Sequence, residues 1–167
     1  MDLTNAAIID LIIKLVLAVV LGASLGLERS LAGKTAGMRT YTLVSMGAAL
    51  FVIISELVSQ RYMTELGIRG AIDPLRVASQ IVMGIGFLGA GLIVFQENKL
   101  RGLTTAAGLW VAAGLGMAIG YGLYILALIV AALTLFTFTV LWYVEQYVEA
   151  KFERENRAAQ ADSRRSF

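Results

Sequence analysis

The side chains of this sequence that could do chemistry fall into two clusters, and neither holds a histidine or a cysteine, because the chain contains none. That removes the commonest general base, the commonest zinc ligand, thiolate metal sites and disulfides. The first cluster gathers Asp10, Lys14, Glu56, Asp73, Arg76 and Gln80. Asp10 and Lys14 are four positions apart, as are Arg76 and Gln80, so each pair shares one face of a helix. The second cluster joins Glu28, Arg29, Lys34, Arg39, Thr40 and Thr42 to Lys99, Arg101, Thr104 and Thr105. Basic groups and hydroxyls around two helix starts suit a phosphate or carboxylate, since a helix N-terminus offers free N–H donors and a partial positive charge. Anchoring at a membrane surface draws on the same composition. No serine stands in an elbow motif and no acid–base pair is apparent. The chain is therefore expected to be no enzyme, with no cofactor, no resident metal and no nucleic-acid partner.

The elements that must position these residues are apolar. Hydrophobic residues make up 58% of the 167 and charged ones only 16%, with a mean hydropathy of +0.76. A soluble domain carries about a quarter charged residues, and here the charges sit in short groups between long apolar runs. Runs of about 20 apolar residues are what a helix needs to cross the hydrocarbon layer. The reading is an all-α polytopic transmembrane helix bundle over residues 1–143, with five spans at about 7–27, 40–59, 75–95, 103–119 and 123–143, followed by a charged tail over 144–167. Asp73 suits an N-cap and Pro74 the first helical position. Gly120-Tyr121-Gly122 breaks what would otherwise be too long a single helix, and Trp142 and Tyr143 fit an interfacial aromatic belt. Met1 to Asn5 lacks the basic start of a cleavable signal.

Five spans place Arg29, Lys34, Arg39, Lys99, Arg101 and the tail's Lys151, Arg154, Arg157, Arg164 and Arg165 on one side, against Arg61, Arg69 and Arg76 on the other. The positive-inside rule then puts the N-terminus outside and the C-terminus in the cytoplasm of a bacterial inner membrane. Small residues recur every fourth position as Ala18, Gly22 and Gly26, as Gly86 and Ala90, and as Gly108, Ala112, Gly116 and Gly120. Such stripes let helix backbones approach, which makes them packing seams and leaves homo-oligomerisation open. A parallel two-helix repeat is also legible. Lys34, Gly37, Met38 and Thr40 recur in register as Lys99, Gly102, Leu103 and Thr105, each set downstream of a Leu-Gly-Ala, at Leu21 and at Leu88.

These residues carry a resemblance. Gly26-Leu27-Glu28-Arg29, then Ala36-Gly37-Met38-Arg39-Thr40 with Leu43-Val44, resemble the N-terminal signature of the MgtC/SapB membrane proteins. The segment from Asp73-Pro74-Leu75-Arg76 through Gly84-Ile85-Gly86-Phe87-Leu88-Gly89-Ala90-Gly91 is similar to their central signature, and Arg101-Gly102-Leu103-Thr104-Thr105-Ala106-Ala107 with Trp110 to the third. The resemblance implies a bacterial inner-membrane protein whose relatives are linked to growth in scarce magnesium, acid tolerance and intracellular survival. It implies regulation, with the F-type ATP synthase as the proposed target of the best-studied member; magnesium transport has also been suggested for the family. Many relatives add a folded C-terminal domain, whereas only residues 144–167 follow the last expected span here. The expected function is a non-enzymatic regulator embedded in the lipid bilayer and contacting another membrane complex. The alternative is a small ion or solute transporter or channel.

Overall fold

The computed structural model of the chain describes residues 5–65, 73–96, 98–148 and 150–152. Among these residues, five helices are long and apolar enough to cross a membrane. Helix α1 covers Asn5–Leu31, α2 Met38–Glu65, α3 Pro74–Leu92 and α4 Leu103–Gly120, while α5 covers Tyr124–Phe136. A π-helical turn, Thr137–Leu141, prolongs α5 within an apolar stretch that runs to Phe152. At 1.5 Å per residue the 18 residues of α4 rise about 27 Å, close to the hydrocarbon thickness. Arg69 and the tail beyond Phe152 lie outside the described residues.

Glycines shape the connections that follow α1 and α4. After α1, Gly33 has φ +66°, the Gly33 N–H donates to the Ser30 carbonyl, and the Lys34 N–H donates to that of Arg29. After α4, Gly122 has φ +74°, with donors at Gly122 and Leu123 reaching Ile119 and Ala118. Both are Schellman turns, which satisfy carbonyls that a helix end would otherwise orphan. At the start of α3 the Asp73 carboxylate accepts from the Leu75 N–H at 3.0 Å, and Pro74 occupies the first turn, as the sequence predicts.

The third connection differs from expectation. Hydropathy predicts a third span to about Phe95, but the helix stops at Leu92, and Val94–Gln96 pairs antiparallel with Lys99–Arg101 as strands β1 and β2. Ile93, Val94 and Phe95 are apolar, so hydropathy alone extends the helix through them. Their β-branched and aromatic side chains and the short loop holding Asn98, at φ +61°, favour a hairpin instead.

Helix α4 is the central element. It packs on α1, α2, α3 and α5, and half of its apolar window is buried. Its stripe faces α2: a Cβ on Gly116 would meet the Ser45 carbonyl and Ala48, and one on Gly120 would lie 2.8 Å from Val52. Gly22 and Gly26 of α1 seat on α2 in the same way, against Ser45 and Tyr41. The predicted seam in α3 is different. Gly86 and Ala90 are exposed, and Gly89 is the glycine that packs, 3.6 Å from the Ala106 side chain. A period of four places Gly86 and Ala90 together on a face but does not say which face meets α4. In the two halves of the repeat, α2 and α4 each begin directly after the matched glycine, Gly37 and Gly102.

Candidate functional site

Polar side chains concentrate at the two ends of the bundle, and each end is held by several helices. At the end carrying the α1 start, Lys14 and Asp10 lie one turn apart, with Lys14 Nζ 3.3 Å from Asp10 Oδ2. The same ammonium lies 3.8 Å from Glu56 Oε2 on α2. From α5 the Tyr124 hydroxyl donates to Asp10 Oδ1 at 3.1 Å. One lysine therefore sits between two carboxylates contributed by different helices. Its side chain is 12% exposed, which strengthens its attraction to both.

The turn residue Tyr121 belongs to this end as well. Burial first, and then the nearby Glu56 and Asp73 carboxylates, push its phenol above the ordinary value. Asp73 thus acts on the Tyr121 phenol while its oxygen caps α3. Arg76 is exposed and makes no ion pair among the described residues. Gln80 points elsewhere: it lines a groove between α2 and α3 and has no hydrogen bond among the described residues. The structure therefore joins Asp10, Lys14 and Glu56, uses Asp73 to cap α3, and turns Gln80 into the α2–α3 groove.

At the opposite end Arg29 is only 3% exposed. Its guanidinium forms a two-pronged pair with Glu28, through Nε to Oε2 and through Nη2 to Oε1 at 2.6 Å. Nη2 also donates to the Phe138 carbonyl at 3.3 Å, and the guanidinium carbon stands 3.8 Å from the centre of the Phe138 ring. Arginine suits this place because its planar fork grips a carboxylate and stacks on an aromatic face at once. The Tyr41 ring meets Phe138 edge-on, with centroids 6.4 Å apart and planes at 83°, and the Tyr41 hydroxyl donates to the Thr105 carbonyl at 3.2 Å. Arg29 of α1, Tyr41 of α2, Thr105 of α4 and Phe138 of the π-helical turn form one buried column. Gly108 makes room for it, since a Cβ there would strike the Tyr41 hydroxyl and lie 2.7 Å from the Phe138 ring.

The remaining residues of this end do not converge. Arg39 and Thr40 are exposed and line the α2–α3 groove, while Thr104 lines a separate groove between α4 and α5. The first N–H of α2, on Met38, is taken by the Ser30 hydroxyl at 2.9 Å. Thr42 bonds the Met38 carbonyl within its own helix, and Lys34, Lys99 and Arg101 are exposed. The two helix starts therefore do not share one anion-sized space. Tyr41, Tyr121, Tyr124 and Phe138 join these sites without having been picked out from the sequence. The available signal was a tyrosine at the edge of an apolar run, whose hydroxyl needs a partner when buried.

Residues 15–147 match the MgtC family. The chain belongs to that family. The match takes in the whole Arg29–Phe138 column and begins just after Asp10 and Lys14. The chain is 51% identical over 80 residues to Protein MgtC of Brucella abortus strain 2308, covering 48% of this chain and 29% of that protein. It is 43% identical over 83 residues to a protein of Escherichia coli K12 named "Putative magnesium transporter YhiD", covering 48% of this chain and 37% of the relative. An uncharacterized protein of Haemophilus influenzae is 38% identical over 82 residues, covering 48% and 34% of the two chains. The match therefore spans well under half the length of each of these relatives. No solved structure matches the chain. Its MgtC-family membership and five apolar helices make it a multi-pass membrane protein.

Proposed function

We propose that this MgtC-family protein is a non-enzymatic regulator of the bacterial inner membrane, N-terminus outside and C-terminus in the cytoplasm, that acts through helix contacts with another membrane complex. The observation that supports this most directly is the uncovered face of α3. Met83, Gly86, Phe87 and Ala90 share one helix face and all are exposed, Phe87 by 82%. A Cβ on Gly86 would meet nothing within 4 Å. A surface facing only lipid has no need of small residues, whereas a helix–helix contact does. Two sets of charged groups in the bundle are paired internally, Lys14 with Asp10 and Glu56 and Arg29 with Glu28, which suits a structural role for them. The orientation rests on Arg29, Lys34, Arg39, Lys99 and Arg101 gathering at one end. Adaptation to scarce magnesium or acid, and the F-type ATP synthase as partner, come from the family resemblance.

A second reading, a cation transporter, is favoured by the acidic groups around Lys14 and Tyr121 and by the name that the Escherichia coli relative carries. Two measurements on the full chain separate the readings: magnesium flux into dye-loaded proteoliposomes, and complementation of a low-magnesium growth defect. The regulator shows no saturable flux, and Gly86→Leu abolishes complementation while expression and thermal stability stay unchanged. Saturable flux that Asp73→Ala or Glu56→Gln removes would establish the transporter instead.

A further inference from the structure

The groove between α2 and α3 has a volume of about 680 Å³ and is open to the surface of the bundle. Its size falls within the range of about 300–1,000 Å³ typical of small-ligand pockets. Along α2 it runs from Arg39 to Phe51, about 18 Å of helix. That is close to the roughly 15 Å depth of one leaflet's hydrocarbon. Ala113 of α4 contributes to its lining, so the space is a slot beside the central helix. Gly47 and Gly84 give the slot its width, since a Cβ on either would meet nothing within 4 Å.

Its polarity is graded. Among the described residues the lining is apolar over most of its length and contains no acidic residue, while Arg39 stands at the end next to the α1–α2 connection. Arg39 is exposed and has no ion-pair partner among the described residues. This contrasts with Arg29, ten positions earlier, which is buried against Glu28. An apolar slot about one leaflet long, ending in a guanidinium with no ion-pair partner among the described residues, complements one kind of molecule in shape and charge. We propose that the α2–α3 groove is a binding site for an anionic phospholipid, one acyl chain lying in the slot and the phosphate gripped by Arg39. The proposed orientation makes its leaflet the cytoplasmic one; the binding chemistry does not depend on that assignment.

Native mass spectrometry of the full chain in mild detergent, offered equal amounts of phosphatidylglycerol and phosphatidylethanolamine, tests the site. The unaltered protein retains phosphatidylglycerol in preference. Arg39→Gln lowers its affinity by about tenfold, the worth of a charge-assisted phosphate contact. Gly47→Leu with Gly84→Leu fills the slot and abolishes retention of both lipids. Gln80→Leu removes the amide near the far end of the slot and leaves the preference intact. Equal retention of the two lipids by the unaltered protein overturns the proposal, and that measurement needs no variant to fold. So does a preference that survives both Arg39→Gln and the double leucine variant at native helix content. Loss of the preference in Gln80→Leu alone, with Arg39→Gln retaining it, overturns the proposal as well, because the headgroup would then be read at the far end of the slot.

Discussion

The chemistry of individual residues in this bundle is decided by what each side chain is left beside. Arg29 and Arg39 lie on the same predicted positive side, yet one is 3% exposed and stacked on Phe138 while the other opens into a groove. Burying an arginine is tolerable only when its charge and donors are met, and Glu28 with the Phe138 carbonyl meets them. The glycines divide in the same way. Gly108 lies under the Tyr41 hydroxyl and the Phe138 ring, whereas Gly86 faces open space. Gly108→Ala should therefore displace Tyr41, weaken its bond to Thr105 and destabilise the fold by about 2 kcal/mol, the usual scale for overpacking. Gly86→Ala should leave thermal stability unchanged or slightly raised. Thermal unfolding of the two variants in detergent compares them, and equal melting temperatures would show that the aromatic column does not depend on the Gly108 gap. The glycine spacing was legible in the sequence. Which glycine faces a ring and which faces open space was not, because the stripe reads the same in either case.

At the scale of elements, the helices follow from local chemistry and their ends from turn chemistry. Asp73 and Pro74 open α3 as expected, and Gly33 and Gly122 close α1 and α4 in left-handed backbone. The hairpin after α3 escaped a hydropathy reading because Ile93 to Phe95 is as apolar as the span before it. Its register sets Phe95 opposite Leu100, both exposed, with Val94 opposite Arg101 and Gln96 opposite Lys99. Alternation then gives this small ribbon one apolar face and one carrying Lys99 and Arg101. Asn98 holds φ +61°, a conformation that asparagine tolerates and a β-branched residue does not. Asn98→Val should cost the hairpin about 1–2 kcal/mol, seen as faster hydrogen exchange at Gln96 and Lys99, the hydrogen-bonded pair that flanks the turn, with Asn98→Gly close to neutral. Unchanged exchange in the valine variant would show that the turn does not set the register. The π-helical turn was likewise invisible in the sequence. Its role appears only once Phe138 is seen to meet Arg29, Tyr41 and the space over Gly108.

For the whole molecule, the absence of native cysteine makes topology straightforward to measure. A single Cys in place of Ala32, in the α1–α2 connection, should react with an impermeant maleimide only after cells are opened, and a phosphatase fused after Phe167 should be inactive. Labelling of Ala32→Cys in intact cells would reverse the proposed orientation. The sequence by itself determined the family, the number of spans and the end of the bundle at which most basic residues gather. Each of these rests on chemistry local to a segment: apolar length against bilayer thickness, and charge beside each span. Tertiary structure alone decided that α4 is the centre, that Gly89 rather than Gly86 packs on it, and that Lys14 bridges acids from α1 and α2. It also separated Arg29 from Arg39 and Thr104 from both. In lipid, an apolar helix face is equally at home against a neighbouring helix or an acyl chain. Which of them it meets is settled by the fit of all the helices together and by no single one of them.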